Sequence, residues 1–121
     1  MIKIYEDVPD RVAAFRVSGD VTAADYENVL IPLVQKKFAT HNKIGVLYHA
    51  DAEFKGFTSG AIWDDAKTGI KHLTGWERIA VVSDVSWLRN AVVAMKWMIP
   101  TPVRLFGNDE LAAAKRWVAE T

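Results

Sequence analysis

A chain of 121 residues has the size of one domain and is too short to build two independent cores. Half of its residues are hydrophobic and a quarter are charged, a globular balance, and fifteen basic residues offset fifteen acidic ones, so no net field draws it to nucleic acid or an anionic membrane. With no cysteine, disulfide scaffolds, thiol nucleophiles and thiolate metal sites are excluded, and a reducing, cytoplasmic setting fits.

The chain opens Met1-Ile2-Lys3-Ile4-Tyr5-Glu6-Asp7, with acidic residues where a signal peptide needs an apolar run. No apolar stretch reaches the roughly 20 residues that span a bilayer. Without repeats or Ser/Gly linkers, residues 1–121 read as a single soluble domain. Met1 to Tyr5 and Arg11 to Val17 are strand-like, and Pro9-Asp10 between them is turn chemistry, which predicts a hairpin. Ser18-Gly19-Asp20 reads as a break. Thr22 with Asp25 is a capping-box variant, and Tyr26, Val29, Leu30, Leu33, Val34 and Phe38 follow at helical steps. Pro32 inside that run predicts a kink or short break.

Ile44 to Tyr48 is apolar without alternation, as in a central strand covered on both faces. A long loop is expected from His49 to Thr58. A helix then starts near Ser59, with Asp64 and Asp65 early, Lys67, Lys71 and His72 late, and an apolar face of Ile62, Trp63, Ala66, Ile70 and Leu73. Ile79 to Val82 is a further buried strand. Ser83, Asp84 and Ser86 compete to cap a helix from about Ser86 to Ile99, which Pro100 and Pro102 stop. Val103 to Phe106 is the last strand, and Gly107-Asn108 turns into a final helix. The order β-β-α-β-α-β-α-β-α predicts an α/β domain: a mostly parallel five-stranded sheet with helices on both faces.

In such sheets the functional loops lie beyond the carboxyl ends of the strands. That rule selects residues 18–20, 49–59, 83–87 and 107–109. The loop after the third strand admits three chemistries. His49, Asp51 and Asp84 could ligate a metal, although no spacing such as HExxH forces three ligands together. Ser59 could be a nucleophile with His49 as base, although Phe57-Thr58-Ser59-Gly60 is not a nucleophile elbow and Thr58 or Ser59 serves equally as a helix cap. Ser59 could also carry a regulatory phosphate at a helix N-terminus, opposed by Asp64 and Asp65. Phe54, Phe57, Trp63 and Trp87 gather near the same end and either line an apolar pocket or fill core.

The segment from Trp87 to Ile99 is unusually apolar. Leu88, Ala91, Val92, Met95, Met98 and Ile99 form a full inward stripe, while Arg89, Val93 and Trp97 form an outward row beside Lys96. Trp97 either lies flat on its neighbours or anchors a subunit contact, with Arg89 and Lys96 as a polar rim.

The pattern resembles the SpoIIAA-like group of STAS domains, related by fold to anti-sigma factor antagonists and more distantly to CRAL-TRIO lipid-binding domains. The residues that carry the resemblance are Gly19-Asp20-Val21-Thr22-Ala23-Ala24-Asp25-Tyr26, Pro32-Leu33, Phe57, Trp63-Asp64-Asp65, Ile79-Ala80-Val81-Val82 with Trp87, Arg104-Leu105-Phe106, and Ala114 with Trp117. The resemblance implies the same β-β-α-β-α-β-α-β-α fold and a domain that is not an enzyme. It also implies a phosphorylatable serine within an Asp-Ser-Ser/Ala-Gly motif. Here Ser59-Gly60 matches and the preceding acidic residue is missing. The resulting expectation is a non-catalytic regulatory or protein-interaction domain that forms a homodimer and needs no metal or cofactor. The alternative is a small carrier for an apolar, lipid-like ligand.

Overall fold

The computed structural model describes residues 1–58 and 75–120. Five strands form one sheet in the order of the chain: β1 (Ile2–Tyr5), β2 (Val12–Val21), β3 (Ile44–Phe57), β4 (Trp76–Val82) and β5 (Val103–Phe106). β1 and β2 are the antiparallel hairpin expected from Pro9-Asp10, with Tyr5 opposite Ala14, and every later pairing is parallel. Among the described residues the strand order never reverses, so these strands form no switch-point crevice of the doubly wound kind.

Alternation along the strands assigns the two faces. Ala13, Phe15 and Val17 of β2 pack with Tyr26, Leu30 and Val34, and Val81 and Val103 pack with Val92. Val12, Ala14, Leu47, Ala80, Val82 and Phe106 face the other way, onto Ala114 and Val118 of the last helix. The described helices between parallel strands therefore share one face, as right-handed crossovers in an unreversed sheet require. The chain's last helix, α4 (Leu111–Ala119), covers the other. Helix and strand touch so closely there that a Cβ on Gly45 would lie 3.0 Å from Val118 Cγ2.

The first helical run begins as the sequence predicts. Thr22 Oγ1 accepts from the Asp25 N–H at 3.1 Å, and Asp25 Oδ2 accepts from the Thr22 N–H at 3.0 Å. After the single turn α1 (Ala23–Asp25), residues Tyr26–Leu30 widen into a π-helical turn, and α2 (Ile31–Thr40) follows with Pro32 in its first turn. Pro32 thus produces neither a gap nor a stop. It follows directly on the wide turn, in which the Ile31 N–H reaches back to the Tyr26 carbonyl, and a wide turn relieves the crowding that a mid-helix proline imposes.

Three expectations change. The segment after the third strand is no loop, because β3 runs on through Phe57 and pairs with an equally prolonged β2. The break expected at Ser18-Gly19-Asp20 is a point where β2 bends and continues, with Gly19 at φ +63°, a backbone open to glycine at little cost. The helix after β4, α3 (Ser86–Lys96), ends three residues early, and its N-cap is Val85 rather than a polar side chain. Ser83 Oγ instead accepts from the Val85 N–H at 3.1 Å.

Replacing Thr22 with Ala removes one side of the capping box and should lower unfolding stability by about 0.5–2 kcal/mol. Urea denaturation with an unchanged midpoint would show that the box does not hold the run's entry.

Candidate functional site

The site lies at the carboxyl edge of the sheet and is organised by the way β3 outruns β4. β4 pairs with β3 only as far as His49, opposite Val82, whereas β2 follows β3 to Phe57. Between the pairs Val17–Ala50 and Gly19–Phe54, three residues of β3 oppose Ser18 alone, and a further residue is extra before Asp20–Gly56. The first of these bulges is held by one carboxylate. Asp51 Oδ2 accepts from Arg16 Nε at 2.8 Å and from the Ser18 hydroxyl, and its Oδ1 accepts from the Glu53 N–H at 3.0 Å. Arg16 and Ser18 stand two apart on β2 and so share a face, which is why both reach the same acid. Burial pushes the Asp51 carboxyl upward, but the donors from Ser18, Arg16 and Glu53 outweigh it and hold the group below the usual carboxylate range.

His49, also on the α4 face, is buried. Its Nδ1 is 2.8 Å from the Tyr5 hydroxyl and its Nε2 is 3.1 Å from Asn108 Oδ1. With Asn108 Oδ1 accepting, Nε2 carries the proton and Nδ1 accepts from the phenol. Desolvation lowers the histidine's proton affinity and raises the Tyr5 phenol, so both rest neutral. Lys115 from α4 closes the cluster, 4.2 Å from the centroid of the Tyr5 ring and 2.8 Å from Asp7 Oδ2. Asp84 reaches the same turn, accepting from the Asn108 N–H at 3.1 Å. All four segments selected by strand-end position contribute here, through Ser18, His49 with Asp51, Asp84 and Asn108, while Tyr5, Arg16 and Lys115 join them from elements that the strand-end rule does not inspect.

His49, Asp51 and Asp84 do not converge: each serves a different hydrogen-bonded group. Among the described residues no three His, Asp or Glu side chains gather as a metal-holding set. Ser18 gives its hydroxyl to Asp51 rather than to a base. Ser59 and Trp63 lie outside the described residues, as do the apolar face and charge order expected for the helix near Ser59.

The opposite face of the same strand extension is aromatic. Phe54 stacks on Trp87 with centroids 5.7 Å apart and meets Phe57 edge-on at 5.2 Å. Phe57 also touches Tyr26 and Tyr48, at 6.4 and 6.3 Å. Three of the four expected aromatics are thus brought together, beside exposed Thr58. Gly56 beside them has a φ of +143°, a backbone conformation that suits glycine.

Trp87 stands in the first turn of α3, where the expected inward stripe proves narrower. Leu88 and Val92 are buried and Ile99 is half-buried, but Ala91 is exposed and Met95 and Met98 are 39% and 81% exposed. Arg89 is not an outward rim residue. Its Nη1 donates to the carbonyls of Ser83 and Phe106 at 2.7 and 3.1 Å, capping the carboxyl ends of β4 and β5. Val93, Lys96 and Trp97 do face outward, and Trp97 is 89% exposed.

A family model described as SpoIIAA-like matches residues 12–119. The chain is also similar in structure to an uncharacterised protein of the DUF3478 family with a SpoIIAA-like fold from Shewanella loihica PV-4. The TM-score is 0.78 at 27% identity, covering 97% of this chain and 93% of that one. No curated protein matches.

Asp51→Asn should lower stability by about 1–3 kcal/mol at neutral pH, the scale of charge-assisted hydrogen bonds lost from a buried acceptor. Because the folded carboxyl titrates below its unfolded value, the contribution is complete above about pH 4 and fades as pH falls through the folded value. Parent and variant should converge in acid denaturation curves, and a constant gap down to the acid limit would remove the carboxylate from this role.

Proposed function

The chain belongs to the SpoIIAA-like family, and on that premise we propose that it is a non-catalytic regulatory domain of the cytoplasm that works by protein contact. The contact is the outer face of α3, and the partner is a second copy. The observation that carries this reading is the exposure of Val93, Trp97 and Met98 on one short helix and its last turn, at 48%, 89% and 81%. Leu88, Val92 and the Arg89 clamp dock the helix from its other side. Large apolar side chains left in water are the usual material of an interface, and tryptophan is a frequent anchor. A twofold axis beside α3 sets the same row from each copy against its equivalent, with Lys96 at the rim and no net molecular charge to oppose the approach. Support for the non-catalytic part comes from the polar cluster: both His49 nitrogens and the Ser18 hydroxyl are engaged by neighbouring side chains.

Trp97→Ala combined with Val93→Glu should turn a concentration-dependent dimer into a monomer in sedimentation velocity, with the circular dichroism retained. A parent protein that stays monomeric across micromolar concentrations defeats the proposal.

An apolar-ligand reading has one observation in its favour: Trp87 stays half exposed beside Phe54 and Phe57. Native mass spectrometry of freshly purified protein separates the two. The interaction reading predicts the bare chain mass in monomer and dimer peaks, and a retained lipid mass would favour the carrier.

A further inference from the structure

We propose that His49 is an acid-sensitive latch that ties β1 to the turn ahead of α4, and that its protonation loosens both segments while the central sheet stays paired. The imidazole stands at the end of β3 and reaches in two directions, 2.8 Å to the Tyr5 hydroxyl on β1 and 3.1 Å to Asn108 Oδ1 in the turn Asn108–Glu110. The Tyr5 ring lies nearly parallel to it, at 15° with centroids 6.1 Å apart. Both tethered segments are lightly held. β1 is an edge strand of four residues paired on one side only, and the turn is a single 3-10 turn between edge strand β5 and α4.

The surroundings decide what a proton does here. Arg16 from β2 and Lys115 from α4 are cations that oppose a charged imidazole. The Asp51 carboxylate on β3 favours one, but it already accepts from Arg16, Ser18 and Glu53. Lys115 is held by Asp7, Asp84 is turned to the Asn108 backbone, and Glu110 accepts from the Gly107 N–H. Lys3 on β1 pairs in register with Arg16 and adds positive charge at that edge, while the β4 neighbour, Val82, is apolar. A second proton would also place a hydrogen on Nδ1, where the imidazole now accepts from Tyr5, so the phenol must reverse its hydrogen bond. Burial supports the same direction by lowering the proton affinity of His49. The sign follows: the latch holds in full above about pH 6.5, the unfolded histidine value, and weakens as pH falls through the lower folded midpoint.

Hydrogen–deuterium exchange of the whole chain, compared at about pH 7.5 and about pH 5 with intrinsic rates normalised, tests the latch. Peptides covering residues 2–5 and 108–119 should lose protection severalfold on acidification while those covering β2 to β4 keep theirs. His49→Gln, which retains a donor and an acceptor but cannot titrate, should abolish that difference. Uniform loss across the chain, no loss, or the same response in the variant would overturn the proposal. Should the variant fail to fold, NMR titration of the His49 ring in the parent decides instead. A midpoint below about 6.5 that coincides with the local exchange supports the latch, and one at or above that value overturns it.

Discussion

The carboxylate of Asp51 is the constraint on which the rest of this structure hangs. A strand that outruns one of its neighbours must satisfy the backbone groups on that side, and a two-strand extension with several extra residues has no regular ladder to do so. Asp51 supplies the missing acceptors at the first bulge, one for a backbone N–H two residues on and one for Arg16 and Ser18 across the strand pair. With the bulge fixed, β3 delivers His49 to one face and Phe54 and Phe57 to the other. The polar cluster with Tyr5 and Asn108 and the aromatic cluster with Trp87 are thus two sides of one strand. Loss of the carboxylate would disturb both.

Helix α3 shows a different balance. Its attachment is economical, with Leu88 and Val92 on the sheet and one guanidinium spread over the terminal carbonyls of two strands. The helix ends at Lys96, and the residues that follow it, Trp97 and Met98, stand in water. A SpoIIAA-like domain built this way carries an apolar projection at a sheet edge, where a partner can reach it without displacing anything that holds the fold.

Much of this was legible in the sequence because it is local. Turn chemistry at Pro9-Asp10, the Thr22–Asp25 box and the strand and helix periods each act within a few residues, and the order of elements follows from them. What was hidden is non-local. Gly19 and Gly56 look like strand breakers, yet paired across the sheet they are the positions at which the strands bend and continue. His49 reads as a loop residue until Tyr5, 44 positions earlier, and Asn108, 59 positions later, close over it. Periodicity put Ala91, Met95 and Met98 on the inward stripe, yet Ala91 and Met95 are exposed and Met98 lies past the end of α3, because a helical period does not say how wide a surface the sheet beneath it offers. Arg89 was misassigned for a related reason: a long side chain on the flank of a helix can fold back to strand carbonyls that only the tertiary structure puts there.

The central claim is that the exposed face of α3 is where this domain meets a second copy of itself. A photo-crosslinking side chain in place of Trp97 tests it most directly, since that position projects furthest from the fold. Irradiation at micromolar concentration followed by peptide mass spectrometry should yield a covalent dimer in which position 97 of one copy is joined to residues 86–98 of the other. Adducts confined to a single chain, or joined to surfaces of the second copy remote from α3, would contradict the account.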